Sequence, residues 1–406
     1  MQKIFYSFVL LLLMALPAVA QDAVAEKSDS VQENIGADLH ISLLTCGGYD
    51  EIWALYGHSA LRVQSDKTGE DFAVNYGLFD FNQPNFIARF LFGKCDYLMG
   101  FVPFKIFMQE FTGKNAYVIQ HEINLTPEEK VAVMKALYIN SLPENAMYRY
   151  NFFYDNCATR PRDMILNNIP ERIIYNNVID STQTFRQIIH ANNGEKPWCR
   201  FGNDMLLGIG SDQQTTRDNQ QFLPAYLMRD FKQAEFVDSM GNKRPVVLAE
   251  TILLPDNTEY TKEFPLSPLG CSLIIFGLLI LLTAFELAKK KRLWLVDAVV
   301  LTICGIVGLI LFLMLFSEHP TVKCNLLILM FNPLLAFFSW RLIQELRGRK
   351  KPLLCRIYSC CLIIAFLTMG LSDLGIFVQY PPEGFLPIVL ALMVRVSKAL
   401  KLKNGK

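Results

Sequence analysis

Short runs of alternating apolar and polar residues follow one another from Leu39 to about residue 265, and beyond that point polar positions become sparse over long stretches. In the first part, "LHISLLTC", "HSALRVQ", "DFAVNYGLFDF" and "NAYVIQHEINL" alternate or are rich in β-formers, each bounded by Gly, Asp, Asn or Lys. That pattern predicts a small antiparallel sheet. The period then changes in "LTPEEKVAVMKALYINSLP", where Thr126 is placed as N-cap, Pro127 at the first helical position and Glu129 as the partner in a capping box. Val131, Met134, Leu137 and Tyr138 fall on one face of the predicted helix. A second helix is predicted over "CATRPRDMILNNI" and a third over "FLPAYLMRDFKQAEFV", while residues 240–265 read as a strand pair and a linker. The class is α+β, followed by an all-α membrane bundle.

The apolar stretches at about 266–288, 294–316, 324–343, 353–371 and 384–400 each approach the ~20 residues that cross a hydrocarbon core, predicting five transmembrane helices. At the other end, Lys3 precedes an apolar run from Phe5 to Pro17 and then Ala18-Val19-Ala20, the pattern of a secretory signal peptide over residues 1–20. Residues 21–38 are polar and acidic, a flexible leader. The expected organisation is therefore an exported domain over 39–265, a membrane domain over 266–401 and a tail over 402–406. Basic clusters at Lys289–Arg292, at Arg347, Arg349, Lys350 and Lys351, and at Lys398, Lys401, Lys403 and Lys406 all fall on one side of such a bundle. The positive-inside rule makes that side cytoplasmic, which leaves the loops 317–323 and 372–384 facing the periplasm and the protein multi-pass in the inner membrane. Glu286 and Asp297 are expected to pair with the first basic loop, and Pro333 to kink the third span.

Hydrophobic residues make up 52% of the chain and mean hydropathy is +0.25, in keeping with a membrane domain. A net charge of +1, with no basic tract outside the membrane flanks, offers no footprint for nucleic acid. There is no CxxC, no HExxH and no phosphate-binding glycine loop, so neither a cofactor nor a metal is expected.

Candidate chemistry centres on "YDNCATRPRD". Asn156 is a favoured N-cap, which puts Cys157 at a helix entrance where unpaired N–H groups stabilise a thiolate, and Arg160 and Arg162 add positive charge nearby. Pro161 would delay the helix start to Thr159 without moving the cysteine from the entrance. The competing reading makes Cys157 half of a disulfide with Cys46, Cys95 or Cys199. A thiol nucleophile needs a base, and of the five histidines His58, in "LYGHSALRV" at the start of a predicted strand, is the candidate. Asn75 in the next strand is the first choice to orient the imidazole and His121 the second.

These segments, "YGHSALRV", "NYGLFDF", "YDNCATRPRD", "LLGIGSDQQTTRDNQQFLPAYL" and "EHPTVKCNLLILMFNPL", resemble the Bacteroides-type lipoprotein N-acyltransferases, a family first catalogued in Bacteroidetes as a domain of unknown function. The order of histidine and then cysteine is also similar to the permuted papain-like fold of lecithin retinol acyltransferases and some cell-wall peptidases. The resemblance implies Cys157 as nucleophile, His58 as base and Asn75 as third catalytic group. Asn156, Arg160, Tyr56, His121 and His319 would be supporting or substrate-binding residues. It implies a membrane phospholipid as acyl donor and bacterial lipoproteins as acceptors. The Phe-rich segment from Phe79 to Phe107 is then an acyl groove, an element that dips into lipid, or ordinary core. Two other classes compete: a periplasmic thiol hydrolase of peptidase or phospholipase type, and a non-enzymatic envelope subunit with Cys157 bridged.

Overall fold

The computed structural model describes residues 36–79, 84–194, 196–291, 293–371 and 378–401. The expected signal peptide, most of the leader and the tail lie outside the described residues. The N-terminal module is built on a seven-stranded sheet ordered β10-β5-β1-β2-β3-β4-β6, with every neighbouring pair antiparallel. The strands run β1 Leu39–Cys46, β2 His58–Ser65, β3 Asp71–Leu78, β4 Asp96–Pro103, β5 Val118–Ile123 and β6 Met147–Arg149. A three-stranded sheet joins β7 Arg172–Tyr175, β8 Ala234–Val237 and β9 Lys243–Pro245, and β10 Val247–Leu254 returns to the large sheet beside β5. The expected strand pair at 240–265 therefore divides: β9 pairs with β8, and β10 covers the edge of β5.

Because strand side chains alternate between faces, the large sheet carries a core on each side. One face presents Leu44, Cys46, Ala60, Ala73 and Val118 to helix α1 (Phe104–Gly113), which buries Phe107 and Phe111 there. Burial of each phenylalanine stabilises by ~1.5–3 kcal/mol. The other face presents Ile41, Leu43, Leu61, Val63, Val74 and Tyr76 to α2 (Pro127–Ser141) and α3 (Thr159–Leu166). Helix α2 has the predicted capping box, Thr126 with Glu129, but its buried positions are Val133 and Leu137, with Met134 beside them and Val131 and Tyr138 half-buried. Among the described residues, the Phe-rich segment forms a short helix over Phe86–Leu91, β4 and the start of α1.

Helices α4 (Phe185–Asn192) and α5 (Pro197–Leu206) complete the module with α6 (Pro224–Lys232). The predicted helix "FLPAYLMRDFKQAEFV" stops at Lys232, and its last residues become β8.

The C-terminal region is helical: α7 Pro268–Ala288, α8 Trp294–Met314, α9 Ser339–Leu346, α10 Leu353–Met369 and α11 Phe385–Lys401. Among the described residues, α7 and α8 are long and apolar enough to cross a membrane. The predicted third span is broken into a 3-10 turn at Leu326–Leu329, a short helix at Leu334–Phe337 and α9, with a bend of 92° before α9. Pro333 opens the short helix, and the sharp bend comes at Phe338. The freed backbone is covered by protein: Tyr358 Oη donates to Met330 O at 2.7 Å, and Asn332 Oδ1 accepts from Leu334 N at 3.0 Å.

Among the described residues, the ion pairs of Glu286 and Asp297 are made with α11 and not with the exposed Lys289, Lys290 and Lys291. Both are buried and meet Arg395 of α11, with Lys398 as a second partner of Glu286. Buried carboxylates need a cation at their own depth, and α11 supplies it while Lys289–Lys291 stay in solvent.

Gly308 on α8 allows the broken segment to approach, since a Cβ there would lie 2.3 Å from Phe331 O. Gly308→Ala should lower the melting temperature of the full chain in detergent, at a cost of ~1–3 kcal/mol. Gly277→Ala on α7, where the same atom meets nothing within 4 Å, should be nearly neutral, and equal melting temperatures for the two variants would contradict this packing.

Candidate active site

His58 opens β2, and Ala60 two residues on is in register with Asn75 of β3, so His58 and Asn75 project from the same sheet face. The carbonyl oxygen of Asn75 accepts a hydrogen bond from His58 Nε2 at 2.9 Å, which leaves Nδ1 as the ring nitrogen free for chemistry. Phe107 and Phe111 hold the ring, with centroids 6.2 and 6.5 Å away. The ladder between β3 and β4 is irregular between Asn75 and Leu78. Gly77 sits in that irregularity, where a Cβ would lie 2.8 Å from His58 Cε1 and 3.0 Å from Asn75 Oδ1. Such bulges re-aim side chains next to active sites.

Cys157 comes to this imidazole from the far side of the sheet. Asn156 Oδ1 accepts from Ala158 N at 2.8 Å and Thr159 N at 3.0 Å, and its Nδ2 donates to Phe152 O and Phe222 O. Asn156 thus caps the entrance of α3, whose regular helix begins at Thr159, and pins Cys157 at the mouth. The His58 ring and the backbone N–H groups of Ser59 and of Cys157 itself lie close enough to the sulfur to act on its charge. Burial pushes the thiol up, yet the charge and hydrogen bond of His58 and the two N–H donors outweigh it, so its pKa is lowered. Burial pulls the imidazole down, and the Cys157 thiolate, with hydrogen bonds to Cys157 and Asn75, reverses that to a raised pKa. The two shifts are coupled, each group favouring the charged form of the other. Tyr97, Tyr148 and Tyr150 cluster near the sulfur, and burial together with its charge raises all three hydroxyl pKa values.

The remaining candidates occupy other positions. Arg160 does not face the sulfur: it forms a two-pronged ion pair with Asp155 at 2.6 and 2.8 Å and lies over the Tyr148 ring. Arg162 is held by Asp163, Asp218 O and Gln221. His121 points to the opposite face from His58 and bonds Glu250 at 2.7 Å, so it does not orient the base. Tyr56 joins the module to α5, donating to Asn193 Oδ1 and accepting from Asn203 Nδ2, each at 2.6 Å. His319, in the loop after α8, packs against Gly93, and burial lowers its pKa. All ten cysteines are free, so Cys157 is not bridged. A surface groove of about 710 Å³ between α2 and α3, lined by Ile139, Met147, Arg160 and Met164, does not include Cys157 or His58 among its lining residues. Gly77, Ser59, Phe107 and Phe111 carried no functional signal in sequence.

The site is fastened to the membrane region through α4, α5 and the turn after them. Buried Arg186 binds Asp204, Asp212 and Ser211, and Asp212 also accepts from Tyr380 N. Gly208 N donates to Thr321 O at 2.8 Å, Asn325 Nδ2 to Met205 O at 3.0 Å and Gln379 Nε2 to Leu207 O at 3.3 Å. Arg149 pairs with Glu318 on another side of the module.

Fold and site together define a membrane protein whose mixed α/β N-terminal module carries a thiol–imidazole centre. Residues 29–191 match the family model described as the Lnb N-terminal periplasmic domain, and residues 259–406 match the Lnb transmembrane domain. The chain belongs to the Lnb family of lipoprotein N-acyltransferases, and its N-terminal module is a periplasmic domain. No curated protein and no solved structure matches it.

The electrostatics are testable by alkylation of the full-length protein with iodoacetamide, followed residue by residue by mass spectrometry. Wild-type Cys157 should react at lower pH than an ordinary buried thiol, its thiolate being favoured. In His58→Ala only burial and the N–H donors remain, so the pKa rises and the rate at pH 7 falls by about tenfold or more. Gly77→Ala should move the rate in the same direction by displacing the ring. Unchanged rates in both variants would mean that His58 does not set the charge state of the sulfur.

Proposed function

We propose that this protein is a membrane-bound cysteine acyltransferase. It moves a fatty acyl chain from a phospholipid, through a thioester on Cys157, to the N-terminal amine of diacylglyceryl-cysteine lipoproteins. The observation that carries the reading is the juxtaposition of Cys157 and His58, each acting on the other's charge, in a periplasmic domain of the Lnb family.

The thiolate attacks the ester carbonyl carbon, and the carbonyl electron pair moves to oxygen. The donors available to that oxyanion are the N–H groups of Ser59 and Cys157, because those of Ala158 and Thr159 are occupied by Asn156 Oδ1. Collapse breaks the ester C–O bond, and the His58 imidazolium gives its Nδ1 proton to the departing lysophospholipid oxygen. The lipoprotein amine then attacks the thioester, neutral His58 takes the proton from nitrogen, and cleavage of the C–S bond restores the thiolate and leaves an amide. Asn75 keeps Nε2–H pointed away from the reaction throughout. An amide in that position orients the ring without adding a negative charge that would compete with the thiolate for the imidazolium.

Both lipid substrates stay in the bilayer, so a thiol fastened to membrane helices meets them without extracting either into water. The inner membrane as location, a cleaved leader at residues 1–20 and basic loops in the cytoplasm belong to this proposal, as does a permuted papain-like ancestry for the module. A thiol hydrolase would share the first half-reaction and hand the acyl group to water.

Cells carrying Cys157→Ser in place of the wild-type gene should produce lipoproteins whose N-terminal peptides lack the third acyl chain by mass spectrometry, and His58→Ala should do likewise. Purified protein given phospholipid without lipoprotein should accumulate a hydroxylamine-labile acyl adduct on Cys157. Lipoprotein masses unchanged by Cys157→Ser would reject the assignment.

A further inference from the structure

The loop between β1 and β2 ends at the catalytic histidine and carries a pair of exposed apolar residues. Ile52 is 75% exposed and Trp53 69%, side by side in a run of turns over residues 51–56, and Gly57 leads directly into His58. The loop is held firmly. Tyr49 is buried under α1 and donates to Glu110 at 2.7 Å, and Glu51 pairs with Lys114 at the end of the same helix.

Its other attachments lead to the membrane. Gly48 O accepts from Tyr260 Oη at 3.1 Å, and Asp50 accepts from Thr261 N at 3.0 Å and Thr261 Oγ1 at 2.5 Å. Asp50 is also paired with Lys196, whose ammonium lies over the Tyr260 ring. Two residues from Lys196, the Trp198 indole N–H donates to Leu266 O at 2.8 Å, and the backbone N–H groups of Trp198 and Cys199 bind Glu263. The first membrane helix begins at Pro268. Two residues span at most about 7 Å, comparable to the polar layer that flanks a hydrocarbon core on each side. Around the same point Trp198 meets Phe264 edge to face, and Phe264 and Leu266 are exposed, making an aromatic and apolar rim at the head of the first span.

We propose that the Tyr49–Gly57 loop is a lipid-contacting element: Ile52 and Trp53 insert into the interface of the periplasmic leaflet beside the first membrane helix. Tryptophan favours that layer, apolar body in lipid and N–H at the head groups, and adjacent isoleucine adds apolar area that water would otherwise surround. Ionic and hydrogen-bonded stems at Asp50 and Gly48 fix the tip relative to the membrane helix, so the loop is held in place before any lipid arrives. Resting on the acyl-transfer reading, a second consequence follows: the loop forms the wall along which a donor chain leaves the leaflet and reaches the sulfur beside His58.

The test uses the full-length protein in bilayers of phosphatidylethanolamine and phosphatidylglycerol, with and without dibrominated acyl chains. The chain has four tryptophans, and the difference in emission between wild type and Trp53→Phe isolates Trp53. That difference should be quenched by the brominated lipid and shielded from aqueous acrylamide. Emission untouched by bromine and open to acrylamide overturns the proposal, whatever the enzyme does. In a second arm, the double variant Ile52→Ser, Trp53→Ser should slow acyl transfer from bilayer phospholipid by about tenfold, the loss expected for one or two large apolar groups kept from lipid. Alkylation of Cys157 should keep its wild-type rate, showing the site intact. Transfer at the wild-type rate would refute the loop's part in donor entry, and a wild-type protein that quenches but transfers no acyl group would refute the acyltransferase reading while leaving the lipid contact standing.

Discussion

A sulfur anion buried in protein needs a positive partner, and that requirement organises the N-terminal module. Desolvation alone would hold Cys157 protonated and His58 neutral. Each favours the charged form of the other, and the pair exists because two unrelated pieces of the fold are brought together at the start of β2. The sheet supplies the imidazole with its ring direction fixed by Asn75, and the helix entrance supplies the sulfur with its backbone fixed by Asn156. The space for the ring comes from an absence, the missing side chain at Gly77.

The same arrangement explains why charged side chains close to the cysteine in sequence are not close to it in function. Arg160 is satisfied by Asp155 and lies over the Tyr148 ring, so it braces the helix start. A second cation facing the thiolate would stabilise it further but would weaken it as a nucleophile, since reactivity falls with basicity. An imidazolium can also release its proton near neutral pH, which a guanidinium cannot do.

Much of this was legible in the chain. The first three strands and the capped helix at Thr126 have sequence signals that act over a few residues, and they lie where the pattern places them. Cys157, His58 and Asn75 stood out because helix entrances and strand starts can be recognised locally. What the pattern missed depends on distant partners. β4 lies in a phenylalanine-rich segment whose strand character comes from pairing with β3 and β6. The third apolar stretch looks continuous, yet it breaks where Gly305 and Gly308 let its backbone press against α8. Glu286 and Asp297 find their cation about a hundred residues later, on α11, and no window around either residue contains it.

The turn after α5 has a consequence for biogenesis. Its backbone groups at Met205, Leu207 and Gly208 take partners from Asn325, Gln379 and Thr321, more than a hundred positions downstream. Asp212, which neutralises buried Arg186, is likewise shared with Tyr380. During synthesis the soluble part emerges first and has to wait, with those groups still hydrated, until the last helices have been threaded into the bilayer. Maturation of the reactive centre is thereby tied to completion of the anchor, and a prematurely terminated chain would leave a loosened thiol module outside the cell membrane instead of a working one.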